Sequence, residues 1–219
     1  MKDSSLREIP FNGVRLRFDS NKSFDDVLSS LLADVGDKPL LINEVAANSE
    51  SWDSYREEIE HHVGPSGFIL FATIDHGAWI KKVGIQRKVL RVIIGNPTIA
   101  ITMLRHDLTA GLFAPVELIL IEEEDHRCSL TYVRPSSLMV VEPNDALLAA
   151  ATQLDAKLQA LATKVTAPSA YETSDLLIIP IDSTRIPRGP RFQDCFSLIF
   201  PRRWKISRVF ATHWRDHVC

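Results

Sequence analysis

Val14 to Phe18 alternates apolar and basic residues, a period of two that predicts a strand with one buried face. Phe24, Val27, Leu28, Leu31 and Leu32 then recur at spacings of three and four, which predicts a helix. Ser20 and Ser23 offer cap oxygens ahead of it, and Gly36 ends it. From Asp37 to Pro65 the pattern loosens around one short charged helix, Trp52 to His62, and the segment reads as an insertion. Gly67 to Ile74 is almost continuously apolar between glycine-rich turns, the mark of a central strand. Lys88 to Ile94 is a further strand, stopped by Gly95-Asn96-Pro97. Pro97 suits a first helical turn, so Asn96 is read as the cap of a helix over Thr98 to His106.

Val116 to Ile121 and Cys128 to Val133 flank the polar run Glu-Glu-Glu-Asp-His-Arg, so they are expected to pair as an antiparallel hairpin. The longest helix is expected from Asn144 to Val165, with Leu147, Leu148, Ala151, Leu154, Leu158 and Leu161 in one stripe against the sheet. After Thr166 the periodicity fails, apart from a strand-like Leu176 to Ile181. The chain thus divides into an N-terminal extension at 1–12, a single α+β domain at 13–165 with the insertion at 37–65, and an irregular basic tail at 166–219.

Composition narrows the partners. Of 219 residues, 45% are hydrophobic and 24% charged, enough for a sizeable core, and the formal net charge is −3. A near-neutral chain has no general pull toward nucleic acid or anionic membranes, so any such activity has to be local. From Pro168 onward the balance is eight Lys or Arg against five Asp or Glu. Three cysteines, 128, 195 and 219, lack the close pairs of a zinc ribbon or redox motif, and no stretch has the length of a bilayer span. These features imply a cytoplasmic protein with no cofactor, no membrane partner and no nucleic-acid partner.

Ile74-Asp75-His76, then Val92 to Pro97 (VIIGNP), Met103-Leu104, and Asp107 to Leu112 (DLTAGL) with Pro115 form a combination that resembles the family of domains of unknown function 302. The resemblance runs from about Gly13 to Val165. It implies a fold similar to the TATA-box-binding-protein-like class: strand, helix, four antiparallel strands making a curved sheet, and a long C-terminal helix packed against it. It also implies a homodimer. It supplies no activity.

The same residues are the candidates for chemistry. Asp75 and His76 end a strand, where side chains leave the sheet, and histidine is the residue type most often used for acid–base work. Adjacent strand residues point to opposite faces, so the two are not expected to form one dyad. The structural alternative is a carboxylate capping turn amides beside a hydrogen-bonded histidine. Asn96 opens a helix whose amides can receive an anion, or it simply caps that helix. Arg105 is suited to clamp an acidic ligand, and Met103 to line a pocket or fill core. His213 and His217 stand four apart near Cys219. No P-loop, G-x-S-x-G elbow, H-E-x-x-H or Ca²⁺-loop spacing occurs, and Glu122 to Asp125 reads as a solvated turn.

The expected function is therefore binding of a small anionic or apolar ligand by a dimeric accessory domain, with Asp75, His76, Asn96, Met103 and Arg105 converging on one rim. Two rivals are an isomerase- or lyase-type enzyme with His76 as acid or base, and an interaction module docking through its basic tail. No metal site is expected.

Overall fold

The computed structural model describes residues 6–168. The strand expected at 176–181, the basic tail beyond 168, and the His213, His217 and Cys219 spacing lie outside the described residues. In chain order the elements are β1 (Arg15–Ser20), α1 (Phe24–Val35), α2 (Ile42–Asn48), α3 (Trp52–His61), β2 (Ile69–Asp75) and α4 (Gly77–Ile80). They continue with β3 (Val89–Gly95), α5 (Pro97–Leu104), β4 (Val116–Glu122), β5 (Cys128–Val133), α6 (Pro135–Met139) and α7 (Asp145–Thr166). The five strands form one antiparallel sheet in the order β1-β5-β4-β3-β2. The domain is α+β, an open sheet packed with helices.

The period of two along each strand decides which face the helices cover. Leu16 lies opposite Tyr132, Tyr132 opposite Leu118, and Leu118 opposite Val92. The next row of that face is Phe18, Leu130, Leu120 and Leu90. These residues meet Val27 and Leu31 of α1 and Leu154, Leu158 and Leu161 of α7 in the main core. Each such aliphatic side chain stabilises the fold by about 1.5–3 kcal/mol relative to exposure. Tyr132 stacks on Phe18 with centroids 5.9 Å apart, and burial pushes its phenol up to about 12, so it carries no charge at neutral pH.

The helix ends follow from side-chain caps. Ser23 accepts from Asp26 N, Asp25 and Asp26 occupy the first turn of α1, and Gly36 closes it at φ 95°. Asn144 accepts from Leu147 N at the start of α7. Ser20 is no cap: its hydroxyl donates to Thr166 O at 2.8 Å and ties the end of β1 to the end of α7. Leu148 leaves the expected stripe and is exposed, because it stands on the flank of α7 while Leu147 and Ala151 face inward.

One strand differs in position from its reading. The apolar run at 67–74 suggested a central strand, yet β2 is an edge, and its burial fades from Ile69 and Leu70 to exposed Ile74 and Asp75. Its first half is apolar because other chain covers it. Leu40 N donates to Leu70 O, and Phe68 joins the core. The covering comes from the segment 37–65, which forms two helices, α2 and α3, instead of one.

Candidate functional site

The register of β2 on β3 places the sequence candidates. Ile69 lies opposite Gly95, and Asp75 opposite Leu90. Antiparallel neighbours end at opposite edges of a sheet, so the end of β2 and the end of β3 are separated by six residues of strand, about 20 Å. Asp75 and His76 therefore occupy one end of the sheet, and Gly95, Asn96 and Pro97 the other. The expected single rim does not form.

At the Gly95 end the structure holds an apolar pocket of about 160 Å³. Phe71 comes from β2, Gly95 from β3, Asn96 and Met103 from the cap and body of α5, and Pro115 from the turn into β4. Gly95 is fixed by crowding: a Cβ there would stand 2.6 Å from Phe71 Cε2 and 3.1 Å from Pro115 Cβ. The Ala114–Pro115 peptide is cis. The pocket thus gathers the Gly-Asn-Pro, Met103 and Pro115 pieces of the sequence pattern, with Leu154 of α7 also in the lining.

Of these, Asn96 has little left to offer a ligand. Its Nδ2 donates to Gly67 O at 2.9 Å, while its Oδ1 accepts from Thr98 N and from Thr98 Oγ1, both at 2.8 Å. It joins two loops and caps α5. Met103 is buried among core residues and lines the pocket. Arg105 is exposed and bends back to donate from Nε to Ile101 O of its own helix at 3.2 Å. It does not line the pocket.

Two lining residues, Ile42 and Tyr55, come from the segment read as an insertion. Burial pushes the Tyr55 phenol above its ordinary value, so it stays protonated and can donate a hydrogen bond. Trp52, Tyr55 and Ile59 stand at spacings of three and four within a charge-rich helix, and Tyr55 and Ile59 turn inward while Trp52 stays exposed. That spacing was the available signal for an inward face on α3.

At the other end, Asp75 Oδ1 accepts from Ala78 N at 3.0 Å, capping the turn into α4, and the His76 ring lies edge-on to Trp79 at 5.9 Å. His61 and His62 both lean on Glu58, at 3.6 and 3.2 Å. Cys128 is a free thiol that burial pushes up to about 11, so it remains protonated at neutral pH. Among the described residues no group of three or more His, Cys, Asp or Glu is arranged to hold a metal, and no helix is long and apolar enough to cross a membrane.

The sheet face away from α1 and α7 follows from the same register. One row reads Arg17, Thr131, Ile119, Arg91 and Ile74 across all five strands; Arg15 lies opposite Val133, and Glu117 opposite Ile93. Half-buried Ile93, Ile119, Ile121 and Val133 occupy its middle. A groove of about 680 Å³ runs over it. Arg17 pairs with Asp19 at 2.8 Å and Glu123 at 2.9 Å, and Arg91 pairs with Glu117.

Comparison with known proteins gives a family and no activity. A solved structure described as an uncharacterized conserved protein DUF302 from Bacillus stearothermophilus is similar at 15% identity and a TM-score of 0.49, covering 69% of this chain and 97% of that one. No curated protein matches. The model of the family described as Domain of unknown function DUF302 matches residues 43–165, a range that begins within α2 and takes in the end pocket together with the Asp75–His76 turn. The chain belongs to the DUF302 family of domains of unknown function.

Proposed function

We propose that this is a cytoplasmic small-ligand-binding domain whose ligand is a compact apolar or aromatic molecule seated in the Gly95-end pocket. The observation that carries the reading is the convergence of Gly95, Asn96, Met103 and Pro115 on one apolar cavity of about 160 Å³. An apolar cavity of about 150 Å³ holds a guest the size of benzene, and stays dry without it. Tyr55, whose phenol burial keeps protonated, is in the lining, and a small number of polar groups fixes orientation in such sites. Cys128, buried as a free thiol, suits a reducing compartment.

Acid–base catalysis by His76 has less support. Its ring packs against Trp79, and the neighbouring carboxylate is engaged with a backbone amide.

The test is a thermal-shift series with benzene, phenol and indole on the full chain. A concentration-dependent rise in Tm is expected for at least one of them. Ala100→Phe, which fills the pocket, is expected to abolish the rise, and His76→Ala to leave it intact. No rise with any of the three, or loss of the rise in His76→Ala, would overturn the reading.

The open sheet face supports a second element, pairing with another copy of the chain. Its apolar middle is flanked by charges of both signs, Arg15, Arg17 and Arg91 beside Asp19 and Glu117. A two-fold axis can therefore set the patch against itself. Sedimentation velocity is expected to show a dimer that Ile119→Asp converts to monomer. A monomeric parent protein, or a dimer indifferent to that change, would refute it.

A further inference from the structure

The Asp75 end of the sheet carries a surface of another kind. Between β2 and β3 the chain forms a short helical tip, α4 running directly into a 3-10 turn at Lys81–Val83. Trp79, Val83 and Ile85 are exposed on it at 55%, 71% and 49%, and Ile74 beside it at 40%. The backbone at His76, Ile80 and Lys81 is right-handed helical, so the chain runs without a break from α4 into the 3-10 turn that carries Val83. Lys82 follows three residues after Trp79.

The charge on this tip is one-sided. Residues 75–88 hold four cations and a single acid, Asp75. Arg87 reaches Glu123 and Glu124, and Lys88 reaches Asp25 at 2.6 Å. Lys81 and Lys82 are exposed and have no ion pair among the described residues. The apex is therefore an indole and two aliphatic side chains beside two ammonium groups without an ion partner among the described residues.

The Asp-His-Gly turn builds this presentation. Asp75 Oδ1 accepts from Ala78 N in the first turn of the tip, and the His76 ring lies edge-on to Trp79. A Cβ at Gly77 would meet Arg87 O, Asp75 Oδ1 and Val89 N, each at 3.0 Å, so glycine lets the turn close against the start of β3 without displacing that backbone. Gly84, at φ 87°, reverses the chain and lets Ile85 N donate to Ile80 O at 3.3 Å.

We propose that this tip docks on an anionic bilayer surface, with Trp79, Val83 and Ile85 entering the headgroup layer and Lys81 and Lys82 contacting the acidic lipids. Protein–protein interface cores are depleted in lysine, whereas tryptophan with aliphatic neighbours and flanking lysines matches the chemistry of the membrane–water boundary. Each lysine near an anionic surface is worth about a fivefold gain in partition coefficient.

The experiment is co-sedimentation of the full chain with phosphatidylcholine vesicles, with and without phosphatidylserine. Binding is expected only with the acidic lipid and is expected to weaken with added salt. Lys81→Ala with Lys82→Ala should lower the partition coefficient about thirtyfold. Trp79→Ala should lower it about tenfold, in line with an aromatic side chain that is partly withdrawn from water. Because all three side chains are exposed, unchanged thermal melts confirm that the variants fold. The proposal is overturned if phosphatidylserine makes no difference, or if both variants bind as the parent does, which would assign binding to the basic segment 169–219. It is also overturned if Trp79→Ala abolishes self-association without vesicles, which would make the tip a protein contact.

Discussion

The two ends of the β2–β3 ladder start from similar sequence, a strand end turning tightly into a helix, and finish as opposite kinds of surface. At the Gly95 end the turn folds inward: Asn96 and Met103 are buried, and the helix closes a pocket. At the Asp75 end it folds outward, and Trp79 and Val83 are exposed. The local chemistry is alike, since Asn96 and Asp75 each cap the following turn through a side-chain oxygen. What differs is the surroundings. β3 has strands on both sides and α3 and α7 packed against the α5 that follows it, whereas β2 is an edge whose last residues are uncovered. Cap residues therefore locate turns, and the packing around a turn decides whether it makes a cavity or a projecting tip.

Substitutions should separate the two ends by size of effect. Met103→Ala, at a fully buried position, is expected to cost about 3 kcal/mol in denaturant unfolding and to enlarge the pocket, so its response to indole should change along with its stability. Asn96→Ala strands Gly67 O and leaves Thr98 N uncapped, for an expected loss of about 2 kcal/mol. Asp75→Ala removes only an exposed cap and is expected to cost about 0.5–1 kcal/mol. Similar losses for Asn96→Ala and Asp75→Ala would mean that the ends do not differ as described.

A pH series probes the buried charge near the Gly95 end. Burial pushes the Asp34 carboxyl up, but hydrogen bonds from Lys164 Nζ at 2.7 Å and from Ser66 outweigh it, and the carboxyl lies below its ordinary value. A depressed carboxyl pKa contributes stability that is fully present above the unfolded value of about 4 and is lost as pH falls through the folded value. Lys164→Met is accordingly expected to cost about 1.5 kcal/mol at neutral pH. The gap from the parent protein should narrow in acid. A gap that widens in acid would assign Lys164 a different role.

Much of this architecture was legible in the chain. The spacing of Phe24, Val27 and Leu31, the Pro97 start of α5, the β4–β5 hairpin and the stripe of α7 follow from periodicity and caps that act within a few residues. Position within the sheet was less legible. The apolar run of β2 reflects cover by the 37–65 segment, which looks the same in sequence as cover by neighbouring strands. α2 has no side-chain cap, and α4 and α6 have four and five residues, too few to show a period. The expected rim failed for a geometric reason: two successive antiparallel strands cannot end on the same side. Tyr55 was missed because the charged composition of α3 outweighed its Trp52, Tyr55, Ile59 spacing. The lysine and tryptophan tip was hidden by a near-neutral total charge, which averages over exactly the local asymmetry that the fold exposes.

The most direct test of the distinction between the two ends is methyl, indole and imidazole NMR of the full chain during titration with indole or phenol, following Met103, Ile99, Trp79 and His76 together. Saturable shifts at Met103 and Ile99, with Trp79 and His76 unmoved, are the expected result. Shifts centred on His76 and Trp79, with Met103 unmoved, would contradict the account and return the site to the Asp75 end.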